Sequence, residues 1–441
     1  MNIDTPSHGS STATLAEPGN NIPRAPWWSG INRYHLLVFL GCWLGGIFDG
    51  MDSTLMSVVL PVAIGDLIGA RDPQSISQVG SWVTTLFLVG WMLGGLLFGY
   101  LGDRLGRVKA MMLSILLYSL FTGLSGLVDR WELLALCRFL TGLGIGGELV
   151  TIATFLTEVW PSRSRAMAVG TLITSYQGGV FLAGSIHYVF EGWRTVFFVG
   201  ALPALLVLFL RMTLKESDRW LMAQSEAHPS KTTSDGLWRR LFQPEHRRAV
   251  VVGSLAFGSL LVGYWASLAW IPAWVQSLID AQQLQGLTHA RSLATMAQGL
   301  AAMVGCTVAG WLCDRLGRRW TLSVAALGAF FASALLFLGN TTFSTIIYGQ
   351  SAILGFFIGL LQSGLYIYLP ELFPTKIRAT GTGFCLNAGR LVTAIAVFNV
   401  GPLVGLFGGY AAAAFAFSLA YLVTCAAMLL GQETRHRPLP E

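Results

Sequence analysis

Apolar residues run along this chain in blocks of roughly 20 or more, broken by short polar intervals. The blocks fall near 34–61, 79–101, 109–128, 132–156, 166–190, 194–213, 249–278, 291–313, 320–339, 343–370, 378–404 and 408–431. Each is long enough to cross a bilayer as a helix, so about twelve spans are predicted. The longest polar interval, 215–248, lies between the sixth and seventh blocks and divides the chain nearly in half. The expected fold is an all-α membrane protein of twelve transmembrane helices in two six-helix bundles. Its expected parts are a flexible tail at 1–33, bundles at 34–213 and 249–431, a linker at 214–248 and a second tail at 432–441.

Basic residues sharpen the topology, because Lys and Arg are enriched in cytoplasmic loops. If the chain starts inside, the division is roughly 22 inside against 4 outside. An even number of spans with both ends cytoplasmic follows. The halves also repeat. Gly99-Tyr-Leu-Gly-Asp103-Arg104-Leu-Gly106-Arg107 returns as Gly310-Trp-Leu-Cys-Asp314-Arg315-Leu-Gly317-Arg318, and Glu158-Val-Trp-Pro161-Ser-Arg-Ser-Arg165 returns as Glu371-Leu-Phe-Pro374-Thr-Lys-Ile-Arg378. The two offsets, about 211 and about 213 residues, are nearly equal, so the bundles are pseudo-symmetric and a binding site is expected between them near the midplane.

Composition agrees with a polytopic protein: 54% of residues are apolar and only 11% charged, against about 25% charged in soluble domains. The formal charge of +6 sits in short loops rather than a basic stripe, which argues against a nucleic-acid partner. Six scattered cysteines read as small buried hydrophobes rather than a disulfide or metal set.

Charges inside the spans are the informative exceptions. An acid near the centre of a spanning helix costs on the order of 2.5–3.5 kcal/mol on insertion scales. Asp49 and Asp52, three residues apart in the first span, share one face that must look at protein, water or ligand. Glu148, among glycines in the fourth span, joins them as a candidate proton site. Arg138 lies about 10 Å into that span from its external end, a depth at which it can meet Asp52, Asp49 or a substrate carboxylate. Arg390 lies near the midplane of the eleventh span, shares a face with Asn387, and offers a bidentate match to a carboxylate. Gln362 and Tyr366, one turn apart in the tenth span, are further candidates for lining a substrate pocket. The loops holding Asp103, Arg104, Arg107 and Asp314, Arg315, Arg318 carry enough charge at a Gly-assisted turn for a network of ion pairs and helix ends. Glu158, Arg165, Glu371 and Arg378 are expected to join it.

The repeated G-x-L-x-D-R-x-G-R loop, the twelve spans and the long central interval resemble the major facilitator superfamily over essentially the whole chain. Within it, Asp49-Gly-Met-Asp52, Arg138, Gly144-Ile-Gly146-Gly147-Glu148 and Glu371-Leu-Phe-Pro374 look like the proton-coupled metabolite symporters. The aromatic acid:proton branch is nearest, and the sialic-acid and nicotinate carriers are similar at the first-helix motif. Met51 stands where aromatic-acid carriers commonly have Tyr or Phe. The resemblance implies the major facilitator fold and a cytoplasmic gate built on Asp103, Arg107, Asp314 and Arg318.

The expected function is proton-coupled uptake of a small organic anion, a carboxylic or aromatic acid, by alternating access. The expected setting is a bacterial inner membrane, with the bilayer, protons and an anionic small molecule as partners and a monomer as the working unit. No Walker loop, nucleophile triad or metal spacing is recognisable, so no enzyme activity or cofactor is expected beyond the proton gradient. The alternatives are a carrier of sugars or other neutral solutes and, from another class, a non-transporting receptor or scaffold.

Overall fold

The computed structural model describes residues 30–69, 73–189, 192–225, 234–283, 290–398, 400–435 and 437–440. The tail expected at 1–33 lies almost wholly outside them. Helices account for nearly all of the described chain, and no strand occurs among the described residues.

The first bundle is built from α1 (Arg33–Ile68), α2 (Pro73–Leu105), α3 (Arg107–Ser125), α4 (Trp131–Val159), α5 (Arg165–Leu172), α6 (Thr174–Val189), α7 (Trp193–Val199) and α8 (Ala204–Thr213). Two short helices, α9 (Asp218–Ser225) and α10 (Ser234–Leu241), occupy the linker. The second bundle comprises α11 (Pro244–Ala281), α12 (Ala290–Leu316), α13 (Arg318–Leu338), α14 (Ile346–Glu371), α15 (Arg378–Asn387), α16 (Arg390–Phe398), α17 (Val400–Phe407), α18 (Tyr410–Ser418) and α19 (Ala420–Leu430). Among the described residues, ten stretches are long and apolar enough to cross a membrane. The sixth and eleventh spans are covered instead by consecutive shorter helices, α7 with α8 and α15 to α17, which gives twelve crossings. The sixth breaks at Gly200 to Pro203, where proline removes an amide donor. The chain is a multi-pass helical membrane protein, and its outward faces carry apolar side chains such as Leu116, Leu120, Leu205, Leu300 and Phe331.

We refer to the face where α1 begins and α19 ends as the terminal face. There the linker contributes helices α9 and α10. Leu237 and Leu241 of α10 are buried, and Trp238 packs edge-on against Phe384, so the amphipathic segment helps cover this end of the second bundle. Pro244 at the first turn starts α11 well before its apolar stretch.

The repeat is physical as well as sequential. Gly106 and Gly317 join α2 to α3 and α12 to α13 at φ of 107° and 91°, a region in which side chains are strained. Each turn opens a helix whose first amides are capped by a distant carboxylate. Glu216 accepts from Arg107 N at 2.7 Å, and Glu433 accepts from Arg318 N at 2.9 Å and Arg319 N at 3.1 Å. Bonds to those amides hold the Glu433 carboxyl below the usual range, outweighing the opposing effect of its partial burial. Small residues set the helix spacing. Gly142 and Gly146 of α4 meet backbone carbonyls of α2, and Gly355 and Gly359 of α14 meet those of α12 in the same way.

The bundles touch along two seams, α2 against α15 and α16, and α5 and α6 against α12.

Candidate functional site

At the middle of the 36-residue α1, Asp49 and Asp52 are both fully buried, yet their surroundings differ. Asp52 turns toward α3 and α4. Its Oδ2 lies 3.5 Å from Arg138 Nη1, and its Oδ1 accepts from Thr122 Oγ1 at 2.6 Å. The Arg138 guanidinium is further tied to Ser125 Oγ at 2.9 Å and Thr141 Oγ1 at 3.0 Å, and it lies 4.8 Å from the Phe197 ring centre. This ion pair is thus enclosed within the first bundle, where packing and hydroxyl groups satisfy most of the guanidinium.

Asp49 faces the seam instead. Neither of its carboxylate oxygens has a hydrogen-bond partner among the described residues, and the same holds for Glu148. The Glu148 carboxylate sits over Gly45 of α1, one turn before Asp49 on the same face, and would collide with any Cβ added there. The two acids therefore share one wall. The Tyr118 hydroxyl lies beside Glu148, and Tyr176 and Arg390 stand within electrostatic reach of Asp49. Tyr176 is anchored by a 3.1 Å contact between its hydroxyl and Ser53 Oγ.

Arg390 supplies the second bundle's side of this chamber. It opens α16 just after a helix interruption at Ala388 and Gly389, where a Cβ on Gly389 would strike the backbone of Gly258 in α11. Its guanidinium stacks on Trp91 of α2 at 4.1 Å, while its Nε has no hydrogen-bond partner. Tyr366, buried edge-on against Phe257, is an electrostatic neighbour of both Arg390 and Asp49. Gln362 is half-buried one turn before Tyr366. Asn387 is buried; its Nδ2 is taken by Gly383 O at 2.8 Å, and its amide packs over Gly95 of α2. Among the described residues Arg390 thus faces Asp49, with Glu148 on the far side of that carboxyl, so the group holds two carboxylates to one cation unless a proton is bound.

A second polar assembly lies at the terminal face. Arg107 Nη1 meets Asp103 at 2.9 Å, and its Nη2 meets Glu158 at 2.9 Å and donates to Thr375 O at 2.8 Å. Arg378 reaches across to the same Glu158 oxygen at 2.8 Å. Asp103 accepts from Ala379 N at 3.1 Å, Thr380 N at 2.7 Å and Thr380 Oγ1 at 2.6 Å, capping α15 of the opposite bundle. In the second bundle, Arg318 pairs with Asp314 and Glu371, both at 3.0 Å. The bundles are held together at this face.

Three residues expected in that assembly form no ion pair in it among the described residues. Arg104 is exposed and accepted by Tyr100 Oη at 2.9 Å, and Arg315 is exposed over Trp311 at 4.5 Å. In each repeat this arginine precedes the glycine turn and points off the inner face. Arg165 is buried but forms no ion pair among the described residues. Sequence reasoning missed Trp91, Tyr118, Thr122 and Tyr176, because aromatic and hydroxyl residues within an apolar span carry no periodic signal. It also missed Glu216 and Glu433, although both follow the last residue of a half at matching places.

Glu158 joins both bundles through one oxygen, so its replacement is a direct test of closure. Glu158→Gln is expected to leave Arg107 and Arg378 without their shared anion and to raise several-fold the alkylation rate of a cysteine introduced at Thr375. An unchanged rate would show that closure does not depend on this carboxylate.

The family model described as Major Facilitator Superfamily matches residues 42–397. Among curated proteins, the chain is 30% identical over 412 residues to the "Probable 4-methylmuconolactone transporter" of Cupriavidus pinatubonensis, covering 89% of this chain and 91% of that one. It is 30% identical over 369 residues to the sialic acid transporter NanX of Escherichia coli, covering 82% and 86%. The solved structure of the proton:xylose symporter XylE superposes with a TM-score of 0.77 at 19% identity, covering 92% of this chain and 98% of that one, which shows the shared fold.

Proposed function

We propose that the chain, which belongs to the Major Facilitator Superfamily, is a secondary transporter that couples protons to the movement of a small organic carboxylate by alternating access. The observation that carries this reading is the charge balance at the seam: Arg390 on one bundle near Asp49 on the other, with Glu148 beside Asp49. A substrate carboxylate entering beside Arg390 adds a third carboxylate to the chamber, and a proton taken up by Asp49 or Glu148 offsets the added charge. Relatives named for 4-methylmuconolactone and sialic acid support a carboxylate substrate, since those compounds are organic acids.

In this reading the terminal face is cytoplasmic, in keeping with its excess of Lys and Arg, the membrane is a bacterial inner membrane and the monomer is the working unit. Asp103, Arg107, Glu158 and Arg378 form the cytoplasmic gate together with Asp314, Arg318 and Glu371. The closed terminal face corresponds to a state that receives substrate from the opposite side. Asp52 and Arg138 hold α1 to α3 and α4, so that Asp49 keeps its aim at the seam.

Proteoliposomes with an imposed pH gradient test the reading. Aromatic, aliphatic and sugar acids are offered one at a time beside a neutral sugar. At least one carboxylate is expected to enter and dissipate the gradient, and the neutral sugar is not. Uptake of the neutral sugar alone, or uptake indifferent to the gradient, would overturn it.

A further inference from the structure

A cavity of about 630 Å³ opens at the terminal face, lined by residues of both bundles, of the linker helix α9 and of the chain end. Its walls are strongly basic. Arg163 and Arg165 come from the turn after α4 and the start of α5, Arg219 from α9, and Arg437 from the segment after α19. The two acids on the wall, Asp314 and Glu371, are both engaged by Arg318, and Glu371 also accepts from Thr434 Oγ1 at 2.5 Å. None of the other four arginines forms an ion pair among the described residues.

Arg165 marks where this departs from the internal symmetry. It holds the position in the first half that Arg378 holds in the second, and Arg378 binds Glu158 across the seam at 2.8 Å. The equivalent bond from Arg165 to Glu371 is absent, because Glu371 has turned to Arg318 and Thr434. Arg165 is nevertheless only 6% exposed, and its Nε has no hydrogen-bond partner. Its charged neighbours are Glu371, the one acid near it and already engaged by Arg318, and the three arginines Arg219, Arg378 and Arg318. With one carboxylate shared among several buried guanidinium groups, a further anion in the cavity would lower the cost of holding them together.

We propose that this cavity binds a phosphate-bearing ligand, its oxyanion held by Arg165 with Arg219 and Arg437, while the bundles are closed at the terminal face. Guanidinium groups match phosphate oxygens in bidentate pairs, and several arginines converging on one cavity suit a dianion better than a monoanion. The volume lies in the range of small-molecule sites and leaves room for more than bare phosphate, so a phosphomonoester or a phospholipid headgroup fits the same chemistry. Because the walls belong to both bundles, binding draws the equilibrium toward this closed arrangement.

Purified full-length protein in phosphate-free detergent is titrated calorimetrically with inorganic phosphate. In parallel, its melting temperature is read in nanodiscs of zwitterionic lipid with and without phosphatidic acid. Saturable binding of phosphate at one site per chain is expected, weakened about tenfold or more by Arg165→Gln and partly restored by Arg165→Lys. The pair Arg219→Gln and Arg437→Gln, at half-buried and exposed positions, is expected to weaken it comparably without endangering the fold. Stabilisation by phosphatidic acid with no response to phosphate, lost in the same variants, assigns the site to a lipid headgroup. No saturable response to either ligand, or unchanged affinity in both sets of variants, overturns the proposal. These are binding measurements, so their outcome is independent of whether a carboxylate is transported.

Discussion

Asp49→Asn is expected to abolish accumulation driven by a pH gradient while leaving exchange of substrate across the membrane intact. Each pH unit supplies about 1.4 kcal/mol per proton moved, so two units support up to about 100-fold accumulation for one coupled proton. Asparagine keeps the size of the side chain and loses the titrating group. The accumulation ratio should fall to one, with counterflow retained because Arg390, Trp91 and Tyr366 are untouched. Glu148→Gln serves as the partner measurement, since its carboxylate lies on the same wall over Gly45. Asp52→Asn should behave differently. That residue is bound to Thr122 and Arg138 within the first bundle, so its replacement should lower thermal stability more than it changes coupling. If Asp49→Asn still accumulated substrate against the gradient, the proton would have to travel elsewhere.

Arg390→Lys is the second large effect. The guanidinium stacks on Trp91 at 4.1 Å and stands at the first turn of α16, where the interrupted helix leaves it aimed at the seam. Lysine keeps the charge but loses the planar fork and the stacking face. Charge-assisted hydrogen bonds contribute about 1.5–3 kcal/mol, so affinity for a carboxylate should fall by roughly 10- to 100-fold. The amide of the same substrate, already a poor ligand, should change little. Binding by isothermal titration to the two ligands separates these outcomes, and equal losses for acid and amide would mean that Arg390 supports the fold rather than the carboxylate.

Much of this was legible in the sequence because membrane burial makes charge conspicuous. Asp49, Asp52, Arg138, Glu148 and Arg390 stand out against apolar neighbours, and the paired offsets single out Asp103, Arg107, Glu158 and their counterparts. The first pair was legible in depth, with Asp49 toward the midplane and Glu148 and with Asp52 toward the external side and Arg138, but not in direction. A spacing of three residues places Asp49 and Asp52 on one side of a helix, but about 60° of rotation sends one toward α3 and the other toward the seam. Trp91 and Tyr176 were hidden for the opposite reason, since an aromatic residue in an apolar span looks the same whether it packs against lipid, helix or guanidinium. Arg104 and Arg315 were over-read, because a motif gives composition at a turn and not the direction each side chain takes.

The bonds made after α19 alter what counts as an expendable end. Glu433 caps α13, Thr434 holds Glu371, Leu439 is 4% exposed, and Pro440 O accepts from Arg378 Nη2 at 2.8 Å. Exposed segments ordinarily tolerate trimming and tagging, but the described residues among 432–440 cap α13 and bond to Glu371 and Arg378 at the closed face. Removing these residues, or drawing them away with a bulky fusion, is expected to loosen the closed face and so change the transport cycle itself.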